Sequence, residues 1–130
     1  MQGSGRIDAS FKKFEEIQAW QKAYEVTIAV YQLSSEGPFA KDFGLRDQIR
    51  RASVSIMANI AEGHGRKSNA EFANFLNLAR GSAAEVQSHL HIALGIDYID
   101  KTKFDDLYSK VTEISRMLLS LAQYLREHDK

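Results

Sequence analysis

The sequence predicts an all-α fold, an antiparallel up-down-up-down four-helix bundle, and three observations carry the prediction. Phe72, Leu76, Ala79, Ala83, Val86, Leu90 and Ala93 alternate at spacings of four and three without a break, and Phe104, Leu107, Val111, Ile114, Leu118, Leu121 and Leu125 do the same. Spacing of this kind lays a continuous apolar seam along one side of a helix. Only the stretch from Gly95 to Lys101 separates the two seams, so the helices that bear them must run antiparallel. Finally, the single proline, Pro38, falls between elements, and no segment alternates at the two-residue period of a strand.

The first helix is expected from about Glu15 to Ser34, with Ile17, Trp20, Tyr24, Thr27 and Tyr31 as its apolar face and Ser34-Ser35-Glu36-Gly37-Pro38 as its stop. The second is expected from about Leu45 to Glu62. Leu45, Ile49, Ala52, Ile56 and Ile60 share one face, while Ser53, Ser55, Ala58 and Ala61 keep much of the remaining surface small, so another backbone can come close. Gly63-His64-Gly65 should end this helix, since either glycine can adopt the left-handed conformation that closes a helix. The third helix follows Ser68, whose hydroxyl can cap it while Glu71 reaches back, and runs to Gly95. The fourth runs from about Thr102 to Arg126, with Thr102 and Asp105 available as its cap. A second apolar strip on it, including Tyr108, Met117, Leu119 and Ala122, exceeds what one small core needs and suits a subunit interface. One domain is therefore expected over residues 14–127. A flexible leader or expression remnant, with Gly3-Ser4-Gly5, should occupy 1–13, and 128–130 should fray.

Composition narrows the function classes. A chain of 130 residues that is 44% hydrophobic can bury a core without metal or disulfide staples. The absence of cysteine excludes zinc–cysteine sites, disulfide frameworks and thiol catalysis, and it fits a reducing, cytoplasmic setting. No apolar run is long enough to span a membrane. With 17 basic and 17 acidic residues the formal charge is zero, so global electrostatics give no ground for nucleic-acid binding. Locally the balance differs: from Lys41 to Arg80 there are seven basic residues against four acidic ones.

Those basic residues are the candidate site. Arg46 and Arg50 lie one turn apart on one helix face, and Arg51 projects about 100° away. Together with Arg66, Lys67 and Arg80 they could contact phosphates as charges and donors rather than as base readers. The segment Gly63 to Ser68 lacks the spacing of a nucleotide-binding phosphate loop and follows a helix instead of a strand, although the amides opening the third helix beside Arg66 and Lys67 could still attract an anion. Asn59, Glu62, Glu71, Arg80 and Glu85 fall in or beside the apolar seams and are expected to form a structural polar network, with Glu62 and Glu85 as natural partners for Arg50, Arg51 and Arg80. The four histidines, His64, His89, His91 and His128, have no metal-ligand spacing, and Ser53, Ser55 and Ser82 have no nucleophile motif, so neither metal, cofactor nor enzymatic activity is expected. Trp20 and the tyrosines are read as core or interface residues, not as base-stacking platforms.

Several strings together resemble a known family. Gln48-Ile49-Arg50-Arg51-Ala52, Ser55-Ile56, Asn59-Ile60-Ala61-Glu62-Gly63 and Gly65-Arg66 are followed by Glu71-Phe72, Phe75-Leu76, Ala79-Arg80-Gly81-Ser82 and Glu85, with Trp20 and Ala23-Tyr24 upstream. In these the chain resembles, over nearly everything after Phe14, the four-helix-bundle proteins encoded in intervening sequences of bacterial 23S ribosomal RNA genes. It departs from the usual pattern at Met57, where proline is common, and at His64. The resemblance implies an all-helical fold and no established catalytic activity. It further implies a homopentamer, as in the related accessory proteins of diversity-generating retroelements, which bind nucleic acid and a reverse transcriptase.

Two functions are expected from these observations. The first is a non-enzymatic, oligomeric bundle that binds structured RNA or DNA through a basic, phosphate-contacting surface. The second is an oligomeric scaffold that binds a protein partner while the arginines make structural salt bridges. They differ in whether the arginines face solvent.

Overall fold

The structure, a computed structural model, describes residues 11–128. A short 3-10 turn, Phe14–Glu16, leads into α1, Gln18–Leu33; then follow α2, Gly37–Lys41, α3, Phe43–His64, α4, Asn69–Gly95, and α5, Lys101–Glu127. Three helix starts are closed by side-chain oxygens that accept an otherwise orphaned backbone N–H. Asp42 accepts from Leu45, Ser68 from Glu71 and Asp100 from Lys103. The cap expected from Thr102 and Asp105 is thus supplied two residues earlier by Asp100, because the helix starts at Lys101, and Asp105 instead pairs with the Lys101 ammonium at 2.8 Å. Unexpected from sequence is α2, which opens with Pro38 in its first turn and sinks Phe39 fully into the core.

The four long helices form the antiparallel up-down-up-down bundle. Cross-helix contacts fix both neighbours and direction. Ser55 and Ser82 hydroxyls meet at 2.8 Å between α3 and α4; Gln87 Nε2 on α4 donates to Thr112 Oγ1 on α5 at 2.8 Å, and Arg126 donates to Asn74 at the other end of that pair. Thr27 Oγ1 on α1 donates to the Ser53 carbonyl on α3, and Lys22 on α1 reaches Glu113 on α5. The heptad seams of α4 and α5 point inward as their spacing requires: Leu76, Ala79, Ala83, Val86, Leu90, Val111, Ile114 and Leu118 are wholly buried.

The apolar face expected for α1 is turned by about one residue. Ala19, Ala23, Val26, Thr27 and Val30 are the buried positions, whereas Tyr24 and Tyr31 are 48% and 41% exposed. Small residues win the core because α1 must approach α3, itself poor in bulk, and the aromatic rings are left outside.

The α3–α4 turn also differs from expectation. Neither Gly63 nor Gly65 is left-handed: Gly65 has φ −79°, and the described residues with positive φ are Gly37 and Asp97. Helix α3 runs on through Gly63, which is buried, and glycine is needed there for space. A Cβ on it would lie 2.7 Å from Phe75 Cβ and 3.2 Å from the Phe72 carbonyl oxygen. Of the expected leader, residues 1–10 lie outside the described residues, while Phe11 packs against the core and its carbonyl accepts from His64 Nε2 at 2.8 Å. Of the expected frayed end, His128 lies against the Tyr124 ring at 4.0 Å, and 129–130 lie outside the described residues.

Candidate interaction surface

Helix α3 supplies Arg46, Arg50 and Arg51, and its geometry separates them. Arg46 and Arg50 share the flank that faces α1 and α2. Arg50 Nε donates to Ser34 Oγ at 2.8 Å, and its Nη2 donates to Ser35 Oγ at 2.9 Å and to the Tyr31 carbonyl at 3.4 Å, while the guanidinium lies over the Tyr31 ring. The planar fork therefore holds the C-terminal end of α1, where carbonyls lack helical partners. Arg46 does similar work, with Nη1 donating to the Ala40 carbonyl of α2 at 3.0 Å and Nε to the Asp47 carboxylate at 2.9 Å. Both guanidiniums are engaged within the chain, which the charges alone did not reveal.

Arg51 faces the other way, into the outer groove between α3 and α4. A pocket of about 380 Å³ there is lined by Gln48, Arg51, Ala52, Ser55, Glu85 and His89. Asn59 Nδ2 donates to the Ser55 carbonyl and hydroxyl, so Asn59, Ser55 and Ser82 form a connected polar ladder down the groove. The expected pairing of Glu85 with Arg50, Arg51 or Arg80 does not occur; Glu85 has no ion pair closer than 4 Å among the described residues. Glu62 pairs with Arg66 at 3.0 Å, not with Arg50, Arg51 or Arg80, because Arg66 stands four residues further along the chain.

Arg66 is additionally laid over the Phe75 ring, 4.6 Å from its centroid, and Lys67 is exposed in the turn. Glu71 belongs to the cap of α4: its N–H donates to Ser68 Oγ at 3.1 Å. Arg80 stands apart from the others. Seven residues before Gln87, it shares that residue's α5-facing side of α4, and its buried Nε finds no acceptor among the described residues. The six basic residues are therefore distributed over the α1-facing flank, the α3–α4 groove, the turn and the α5-facing flank, and do not form one patch on a single chain.

Sequence reasoning missed a clasp at the opposite end of the bundle. Tyr98 donates to Asp42 Oδ2 at 2.9 Å, linking the turn after α4 to the cap of α3, and packs on Phe39. The N–H of Leu45, and then the Tyr98 hydroxyl, hold the Asp42 carboxyl below its ordinary range; donation to Asp42 raises the Tyr98 phenol correspondingly. Asp42 standing three residues before Leu45 was the available signal for the cap, but nothing local pointed to Tyr98.

Exposed apolar side chains complete the surface. Tyr24, Ile28 and Tyr31 follow one another along the outside of α1, with Trp20 stacked on Tyr24 at 5.7 Å and Val54 exposed on α3. Leu78 and Ile92 project from α4, Ile96 from the turn after it and Phe43 from α3. Among the described residues no group of three His, Cys, Asp or Glu side chains is placed to hold a metal ion, and no described helix is long and apolar enough to cross a membrane.

A family model described as 23S rRNA-intervening sequence protein matches residues 15–120, from the 3-10 turn into α5. The chain belongs to the 23S rRNA-intervening sequence protein family. The span contains all six candidate basic residues and Asn59, Glu62, Glu71 and Glu85. Among solved structures, this family member is similar to a protein of unknown function from the S23 ribosomal protein family of Bacteroides thetaiotaomicron. The two are 29% identical over 80% of this chain and 97% of that one, with a TM-score of 0.73. No curated protein matches the chain. Neither description names an enzymatic activity.

Proposed function

We propose that this family member is a non-enzymatic, homo-oligomeric helical scaffold that assembles with itself and docks a protein partner through its exposed apolar faces. The observation that carries this is the division of labour on α1 and α3. Tyr24, Ile28 and Tyr31 form a partly exposed stripe at helical spacing, while Arg50, the residue best placed to reach a phosphate from the same flank, is committed to Ser34, Ser35 and the Tyr31 ring. A bundle whose arginines staple its own helices and whose aromatic rings face outward is built for protein contact. The resemblance suggests five copies. Light scattering on the purified chain tests the assembly: a species heavier than the 14.7 kDa chain at micromolar concentration is expected, and a stable monomer would defeat the proposal.

A second function, binding of RNA or DNA through phosphates, is supported by Lys67 and Arg51, which are exposed and make no ion pair among the described residues. Repeated around an assembly, they could act together with Arg66 despite the neutral chain. Affinity would then fall with salt, each phosphate contact contributing roughly −0.7 to −0.9 to the log–log slope, and replacing Arg66 and Lys67 by Ala would flatten it. Assembled protein that binds neither RNA nor duplex DNA at low salt would eliminate this function and leave the scaffold.

A further inference from the structure

The outer strips of α3 and α4 are complementary to each other, and the chain does not use that complementarity. On α4, Leu78, Glu85 and Ile92 stand at heptad spacing and all three are exposed. An apolar–polar–apolar heptad is the pattern of a helix–helix seam with one charged position in its middle, yet no described helix covers it. On α3, Arg51, Val54 and Ala58 stand at spacings of three and four, also exposed, and present one cation beside small apolar side chains.

The register places the two charges at one height. The Ser55–Ser82 hydrogen bond of 2.8 Å fixes the antiparallel pair, and one turn from each serine are Arg51 on α3 and Glu85 on α4. The two line the same pocket of about 380 Å³ and carry opposite charge, but no ion pair joins them. Beside them the Nδ1 of His89 is buried without a partner among the described residues. A seam that carries Glu85 needs a helix offering a cation at that level with little bulk around it, and the α3 strip of a second copy is such a helix.

We infer that the α3–α4 face is a contact between copies of this chain in which Arg51 of one copy pairs with Glu85 of the next. This rests on the oligomeric scaffold proposed above and names the residues that hold it together.

Charge reversal tests it. Arg51→Glu and Glu85→Arg each bring like charges together and should reduce the assembled species to the 14.7 kDa monomer at micromolar concentration, with helical circular dichroism unchanged because both side chains are exposed. The double variant Arg51→Glu/Glu85→Arg restores opposite charges and should recover the assembled mass. Single variants that stay assembled would overturn the inference and leave the face to some other occupant. Dissociation of the single variants without recovery in the double variant would overturn the pairing. If the unaltered chain is itself monomeric, the scaffold fails along with it.

Discussion

Replacing Gly63 by Ala should destabilise the bundle even though alanine is the better helix former. The added Cβ would meet Phe75 Cβ at 2.7 Å, Phe72 Cδ1 at 3.0 Å and the Phe72 carbonyl oxygen at 3.2 Å. Carbon atoms in good contact sit about 3.5 to 4.0 Å apart, so relief needs a local separation of roughly 1 Å. A rotamer change can withdraw the Phe72 ring, but Phe75 Cβ and the Phe72 carbonyl move only with the backbone of α4. Overpacking of this kind typically costs about 1–3 kcal/mol, and the helix-propensity gain returns about 0.5–1 kcal/mol, leaving a net loss centred on about 1 kcal/mol and reaching about 2.5 kcal/mol. Gly81 is the internal control. It is also inside a helix, but a Cβ there would meet nothing within 4 Å, so Gly81→Ala should gain about 0.4–1 kcal/mol. Urea unfolding followed by helical circular dichroism, at one protein concentration so that assembly is held constant, reads both changes. A Gly63→Ala variant as stable as the parent, or two variants that shift in the same direction, would refute the close-approach account.

Three further outcomes are expected. Leu118 is fully buried, and Leu118→Ala should cost about 2–5 kcal/mol in the same unfolding assay; a cost below 1 kcal/mol would take Leu118 out of the core. Arg50→Lys keeps the charge but loses the fork that reaches Ser34 and Ser35 together, and should lower stability by about 1–2 kcal/mol; full stability in the lysine variant would show that charge alone suffices. Tyr98→Phe removes the donor to Asp42. Since Asp42 is lowered in the folded state, its stabilisation holds above the ordinary carboxylate range and is lost as pH falls through the folded value. Tyr98 is raised, so its share holds below its ordinary value and is lost as pH climbs through the folded one. The stability gap between parent and Tyr98→Phe should therefore be flat between about pH 5 and 9 and shrink below about pH 4 and above about pH 10. A gap undiminished in acid would refute the clasp.

The bundle was legible because α4 and α5 repeat their apolar residues over many turns, and a long period tolerates errors at the ends. Shorter signals misled. The five residues of α2 are too few for any periodicity, so Gly37 and Pro38 read only as a stop. On α1 the large aromatic residues outweighed Ala19 and Ala23 in the pattern, although small residues are what a close helix crossing buries. Gly63 read as a helix terminator since glycine's commonest use there is conformational; its packing role depends on Phe72 and Phe75 arriving from α4, which no local spacing encodes. For the site, the division of Arg46 and Arg50 from Arg51 followed from helical geometry. The acceptors did not. Ser34 and Ser35 come from the end of another helix, and Glu62 found its partner by the four-residue spacing to Arg66 instead of across the bundle.

The hydrogen bonds that secure the two ends of the described chain meet at one pole. His64, closing α3, holds the carbonyl of Phe11, and Asn69, opening α4, donates to the carbonyl of His128 at 3.4 Å. An even number of long antiparallel rods returns the backbone to where it set out, so the path is nearly a closed circuit. A short polar linker could join Phe11 to His128, and the exposed Asp97 turn between α4 and α5 is the place where the chain could be cut between two long helices. Labels attached at Phe11 and His128 would emerge side by side, near Arg66 and Lys67, and leave the far pole with its Asp42–Tyr98 clasp unobstructed.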